Sequence, residues 1–342
     1  MADVVTFGEA MIRLSTPHFQ RIEQTGSLDV QIGGGELNVA VGLNRLGLKS
    51  AWVSRLPENS LGRLLANRAR QAGVEMSNVI WTREGRVGLY FVEFGAAPRP
   101  SSVLYDRANS AISLIQPGEV DWKAVFAGCR WFHTSGITPA LSDSAAAVTR
   151  EALVAARKAG ATVSYDLNYR GKLWSPAKAR SVQEPLMEHV DVLITTEEDT
   201  RVVFGIESSA HGEEGDFQKV SVSAYKEVAQ RLQEKFKFKA VAITLRENPL
   251  VWRNTWTAIA YADGKFYDDV KYDLEIVDRI GGGDSFSAGF IYGYLTHQDY
   301  AAAVRYGNAF SALKHSTPGD FNWTTLSEVE QLLKGASLRV AR

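Results

Sequence analysis

Asp278-Arg279-Ile280-Gly281-Gly282-Gly283-Asp284-Ser285-Phe286-Ser287-Ala288-Gly289-Phe290 sets three consecutive glycines and an aspartate directly ahead of a helix-like apolar run. Glycine peptides can turn their N–H groups toward a bound anion, because no side chain stands in the way. A helix starting near Ser285 adds free N–H groups and the positive end of its dipole. The combination suits a transferring phosphoryl group, whose charge must be held while little covalent work is done. Asp284 would stand at the rim, where a hydroxyl loses its proton as it attacks. A helix N-terminus favours the ionised carboxylate, which predicts a weak base. The competing reading is a plain glycine-rich turn with Asp284 as N-cap.

A second glycine cluster lies far upstream, in Gly33-Gly34-Gly35-Glu36-Leu37-Asn38-Val39-Ala40-Val41-Gly42-Leu43-Asn44-Arg45-Leu46-Gly47. Its glycines either let the backbone approach a ligand or make a tight strand-to-helix turn. Asn38 either meets a ligand hydroxyl or faces its helix neighbours. Taken together, the two segments resemble the paired signatures of the ribokinase-like (phosphofructokinase-B) sugar kinases, G-G-x-x-x-N-x-A-x-x-x-x-x-L-G and D-T-x-G-A-G-D. The resemblance covers essentially the whole chain. It implies a three-layer α/β/α sandwich with a mainly parallel central sheet and a small β-sheet lid that closes over the sugar. It also implies ATP as donor and Mg²⁺ bridging its phosphates. Asp284 would be the base on the acceptor hydroxyl. The N–H groups of Gly281, Gly282 and Gly283 would form an anion hole, and Gly34, Gly35 and Asn38 would contact the sugar.

For the nucleotide, the resemblance points to the loop after the Ala240–Thr244 strand and to the helix that follows the catalytic one. Thr244, Arg246 and Asn308 are the candidates there, with a structural role as the alternative for each. Three departures stand out. Arg279 and Gly282 replace the usual Thr and Ala, so a cation lies near the phosphates, placed to meet nucleotide or a partner helix. Thr196-Glu197-Glu198-Asp199 stands where the family has N-x-x-E, which leaves the metal ligands unassigned. Thr244-Leu245-Arg246-Glu247 lacks the glycine common after that strand.

The middle of the chain carries a narrower likeness. Gly88-Leu89-Tyr90-Phe91, Tyr105-Asp106-Arg107-Ala108-Asn109-Ser110-Ala111 and Asp166-Leu167-Asn168-Tyr169-Arg170 are similar to the 2-keto-3-deoxygluconate kinase branch. A sugar acid carries a carboxylate, which an arginine fork binds in a bidentate way. On that reading Arg107 and Arg170 take the carboxylate, while Tyr90 and Tyr105 supply flat walls with hydroxyl tips. Packing is the alternative for each tyrosine, pairing with Asp166 for Arg170, and pairing with Asp106 for Arg107. A kinase for fructose or another neutral ketose, and a non-catalytic sugar-acid-binding regulator, are the competing functions. A nicotinamide-dependent dehydrogenase fits less well, since Phe7-Gly8-Glu9-Ala10 replaces the expected G-x-G-x-x-G.

The elements that must position these residues alternate between strand-like and helix-like runs. Strands are expected at Ala51–Ser54, Arg130–Ser135, Thr162–Asp166, Val190–Ile194 and Ala240–Thr244. Helices are expected at Leu61–Ala72, Ser144–Lys158 and Ser223–Lys235. Such alternation predicts a parallel sheet covered on both faces, here as one domain over residues 1–342. Segments 11–32 and 87–114 break the pattern with aromatic and β-branched residues between turns. They read as hairpins, either the lid or an extra edge on the main sheet. Glu207 to Lys219 reads as an exposed polar loop.

Composition narrows the setting. The chain has 342 residues, 45% hydrophobic and 23% charged, with a formal net charge of −1, which gives no reason to expect nucleic acid or a membrane surface as partner. One cysteine, Cys129, makes neither a disulfide framework nor a metal cluster. No apolar run approaches the roughly 18 residues of a membrane span, and no signal peptide is evident, so a cytoplasmic location is expected. Exposed lid edges would allow pairing into a homo-oligomer.

Overall fold

The computed structural model describes residues 1–209 and 222–335. The chain opens with β1 (Val4–Phe7), β2 (Met11–Ser15) and β3 (Asp29–Gly33). Then come α1 (Gly35–Arg45), β4 (Ser50–Pro57), α2 (Ser60–Gln71), β5 (Val79–Thr82), β6 (Gly88–Glu93) and β7 (Ser102–Asp106). The middle runs through α3 (Trp122–Val125), β8 (Trp131–Ser135), α4 (Asp143–Lys158), β9 (Thr162–Asp166), α5 (Pro176–Leu186), β10 (Val192–Thr195) and α6 (Glu197–Phe204). The last third holds α7 (Val222–Phe236), β11 (Ala240–Leu250), β12 (Arg253–Ala262), β13 (Lys265–Asp268) and β14 (Tyr272–Glu275). It closes with α8 (Gly282–His297), α9 (Tyr300–Lys314) and α10 (Leu326–Leu333).

Among the described residues the large sheet has the order β13-β12-β11-β10-β9-β8-β1-β4-β5, with β14 also paired to β12. Strands β5 to β11 along that path are parallel, and the β12 pairings are antiparallel. Strands buried on both faces should be apolar throughout, and β1 (VVTF) is buried at every position. Alternation sends Val5 and Phe7 to one face and Val4 to the other. The first face packs against α4, α5, α6 and α7, and the second against α1, α8 and α9. This is the ribokinase-like three-layer arrangement expected, with crossovers where the helical periods lay.

Segments 11–33 and 88–106 form a separate four-stranded sheet, ordered β3-β2-β6-β7. The two hairpins are antiparallel as expected, but they join through a parallel β2–β6 pairing. Opposite faces of this sheet differ sharply. Arg13, Tyr90 and Tyr105 are cross-strand neighbours on one side, and Val30, Leu14, Phe91 and Leu104 form a row on the other.

Two local expectations are corrected. Strand β11 does not end at Thr244 but continues to Leu250 and turns back into β12, so no loop follows Thr244. No glycine interrupts residues 245–250, so no position there is freed for a left-handed turn. Helix α8 begins at Gly282 and not near Ser285, with Gly281 as N-cap. The polar stretch Glu207–Lys219 lies outside the described residues from position 210 onward. No described helix is long and apolar enough to cross a membrane.

Candidate active site at the junction of the two sheets

A cavity of about 590 Å³ opens between the small sheet and the ends of the large one. That volume suits a small-molecule ligand. Its lining includes Gly34, Gly35, Asn38, Tyr90, Tyr105, Arg107, Arg170, Thr244, Gly281, Gly282, Gly283 and Asp284. Residues from opposite ends of the chain are thus gathered in one place.

The glycine run works differently from a free loop. Gly281 has φ 85°, a left-handed conformation that glycine adopts without penalty, and it turns the chain into α8. The first helical bond runs from Ser285 N–H to Gly281 O at 2.9 Å. Gly283 and Asp284 therefore sit in the first turn, where N–H groups lack an intrahelical carbonyl. Gly283 faces open space. An anion above it would meet those N–H groups and the helix dipole together.

Asp284 is held by Asn38, whose Nδ2 donates to Oδ2 at 2.7 Å, while Asn38 Oδ1 accepts from Gly34 N–H at 3.3 Å. Asn38 is itself buried, so it serves the carboxylate and the glycine turn at once. The expected depression of the Asp284 pKa does not occur. Asp284 is half-buried at the cavity wall, and the protein packed around it desolvates its carboxyl and pushes it above the ordinary range. Asn38, Arg170 and Lys314 oppose that rise without cancelling it. Desolvation is the largest influence on this carboxyl, which makes Asp284 a stronger base than an ordinary aspartate.

Other carboxyls crowd beneath. Burial pushes Glu36 up to about 7, although its Oε1 accepts from Ser135 N–H (3.0 Å), Ser135 Oγ (2.6 Å) and Thr138 Oγ1 (3.1 Å). Burial, with Asp199 and Asp284 nearby, also raises Asp166 well above its usual value. Behind the glycine run the buried Lys314 ammonium donates to Asp278 O (3.3 Å) and Thr317 O (3.1 Å). Burial lowers its pKa to about 8.

The two arginines differ. Arg107 is ion-paired with buried Glu9, not with Asp106, which Arg86 holds in a bidentate pair at 2.6 and 2.8 Å. Arg170 is exposed at the cavity wall and donates to Tyr169 O at 3.0 Å. Tyr90 is buried with its hydroxyl on Asp320, and its ring stacks on Tyr105 at 5.9 Å. Arg279 lines the cavity and donates to Val251 O.

The nucleotide candidates are only partly gathered. Thr244 reaches the cavity, whereas Asn308 does not line it and donates instead to Val270 O at 2.9 Å. That bond ties α9 to the chain ahead of β14, in keeping with the structural alternative for Asn308. Arg246 falls on the continuing part of β11, and its side chain lies outside the described residues. Glu198 and Asp199 line the cavity, but no group of three His, Cys, Asp or Glu among the described residues is placed to hold a metal. Sequence reasoning missed Glu9, Arg13 and Asp320. Arg13 alone left a signal, as a charged residue at an inward position of the strand pattern MIRLS.

Fold and cavity together describe an α/β sugar kinase. The family model for pfkB family carbohydrate kinases matches residues 1–325, and the chain belongs to that family. It is 39% identical over 341 residues to a 2-dehydro-3-deoxygalactonokinase of Haloferax volcanii, covering 100% of this chain and 99% of that one. It is 30% identical over 341 residues to a 5-dehydro-2-deoxygluconokinase of Shouchella clausii, covering 97% and 95%. The crystal structure of a 2-dehydro-3-deoxygluconokinase from Thermotoga maritima matches with a TM-score of 0.92 at 43% identity, covering 97% of this chain and 98% of that one.

Proposed function

We propose that the protein is an ATP-dependent sugar-acid kinase that phosphorylates a hydroxyl of a 2-keto-3-deoxy aldonate, 2-keto-3-deoxygluconate in the first instance. The observation that carries this reading is Asp284, fixed by Asn38 beside the α8 N-terminus in one cavity with Arg170. Relatives named for keto-deoxy sugar acids support it.

Asp284 accepts the proton of the acceptor hydroxyl as that oxygen forms its bond to phosphorus. The bond from phosphorus to the bridging oxygen breaks, and ADP leaves. N–H groups of Gly283 and Asp284, in the open first turn of α8, hold the charge on the transferring group, while Gly282 N–H stays on Arg279 O. Arg170 takes the sugar carboxylate, and Tyr90 and Tyr105 wall the chain of carbons. The four-stranded sheet acts as a lid that excludes water from the transfer. Thr244, which lines the same cavity, meets the nucleotide. Mg²⁺ would supply neutralisation of phosphate charge. Glu198 and Asp199 are the residues placed to meet its water shell, as suits an ion that keeps several waters.

A buried thiol at Cys129, pushed up to about 11 by burial, suits a reducing cytoplasm. The apolar row on the outer lid face suits a second copy of the chain. A neutral ketose is the second reading, favoured by one observation: Glu9 already neutralises Arg107.

The test is coupled ADP release with Mg-ATP against 2-keto-3-deoxygluconate, its galactonate epimer, 5-keto-2-deoxygluconate, fructose and ribose, with Asp284→Asn as blank. Turnover confined to the keto-deoxy acids is expected. Turnover on fructose or ribose alone would overturn the sugar-acid assignment and leave the kinase.

A further inference from the structure

Arg13 is fully buried in the middle of β2. An arginine without compensation there would be strongly destabilising. Its guanidinium instead meets two carboxylates: Nη1 lies 2.6 Å from Asp320 Oδ2, and Nη2 lies 2.7 Å from Asp278 Oδ2. Nε donates to Ser15 Oγ at 2.7 Å, so every edge of the fork is engaged.

The two carboxylates lead to different parts of the cavity. Asp278 accepts from Ile280 N–H at 3.0 Å through Oδ1 and from Gly319 N–H at 3.0 Å through Oδ2. These bonds shape the short approach to Gly281, the N-cap of α8. Asp320 accepts the Tyr90 hydroxyl on its other oxygen. Arg13 and Tyr90 are themselves directly paired across β2 and β6, and Tyr90 is paired with Tyr105 across β6 and β7. One row thus crosses the inner face of the small sheet, from the buried guanidinium to the cavity mouth. On β3, any side chain at Gly33 would overlap the Asp320 carboxylate, so glycine there leaves the space that Asp320 occupies.

Resting on the kinase reading above, we propose that Arg13 is a positioning residue for phosphoryl transfer. Through Asp278 it fixes the approach to the anion-binding turn, and through Asp320 it orients Tyr90 on the sugar wall. The lid sheet and the α8 N-terminus therefore keep one register. A lysine retains the charge but not the planar fork that reaches two carboxylates at once.

Arg13→Lys in the full chain tests this. Circular dichroism and a melting curve establish that the variant folds. Its kcat on the best sugar is expected to fall roughly 10- to 100-fold, as for a small misplacement of reacting groups, and its sugar KM to rise. Hydrogen exchange should quicken at residues 279–284 and 88–92 and stay unchanged in β8, β9 and β10. A folded variant with kcat within twofold of wild type and unchanged exchange overturns the proposal. If Arg13→Lys does not fold, Asp278→Asn replaces it. It keeps the shape of the site and leaves the Asp320 arm intact, so kcat should fall while sugar KM holds. An unchanged kcat there overturns the proposal equally. Should wild type phosphorylate none of the sugars, the kinase reading fails by itself. The exchange pattern then still decides whether Arg13 sets the turn.

Discussion

Asp284 stands between opposing influences, and burial wins over Asn38, Arg170 and Lys314. Asp284→Asn should lower kcat roughly 10²- to 10⁴-fold, the usual worth of a positioned base, with nucleotide binding by calorimetry unchanged. Because the carboxyl is raised, the acid limb of the wild-type rate profile should lie above the ordinary aspartate range. Glu36 gives a stability test. Its carboxyl titrates at about 7 in the fold against an ordinary 4.5. A raised carboxyl means the folded state binds the proton more tightly than the unfolded chain. Its contribution is therefore fully present below about pH 4.5 and lost as pH rises through about 7. At about 1.4 kcal/mol per pH unit, the wild type should lose about 3 kcal/mol relative to Glu36→Gln between pH 4.5 and 8. Urea unfolding of both proteins at the two pH values measures it, and a pH-independent difference would remove Glu36 as the titrating group.

At the scale of elements, the turn after β9 and helix α8 set the two ends of the transfer. Arg170 projects from that turn and is exposed. Arg170→Ala should raise the sugar-acid KM roughly 10- to 100-fold, the worth of hydrogen bonds to a charged partner, with the melting temperature unchanged. Because Arg170 lowers the Asp284 pKa, the same variant should move the acid limb of the rate profile further upward. An unchanged KM places the carboxylate elsewhere, with Arg107 next. Helix α8 is anchored by packing, not by amphipathic patterning, since it is apolar nearly all round. Phe290 is fully buried between the sheet and α9. Phe290→Ala should cost about 3–5 kcal/mol in a denaturant titration, and with it the stability of the anion site.

On the scale of the whole molecule, the small sheet has one face for the cavity and one for something else. Val30 and Leu104 on the outer face are 52% and 57% exposed, with Leu14 and Phe91 between them in register. A contiguous apolar row on an exposed sheet is a surface that invites a partner, and a two-fold pairing of lids would cover it. Sedimentation should show a dimer for the wild type. Leu104→Asp should shift it toward monomer at micromolar concentration, and a wild type that remains monomeric there rules the pairing out.

The chain by itself determined whatever is written in local spacing. Glycines ahead of an apolar run, helical and strand periods, and two ordered signatures depend on residues close in sequence, so the layered fold, the small sheet and the place of Asp284 at a helix N-terminus were legible. Tertiary structure decided whatever depends on partners far along the chain or on depth. Asn38 meets Asp284 across 246 positions, and Arg13 meets Asp278 and Asp320 across 265 and 307. No local pattern marks Asp320, nor Glu9 as the partner of Arg107. The bond from Asn308 to Val270 O, 38 positions away, is likewise invisible in local spacing. The rise in the Asp284 pKa is of the same kind. A helix N-terminus is visible in a sequence, but the loss of water around a carboxyl is not, because desolvation is set by what the rest of the fold packs over it.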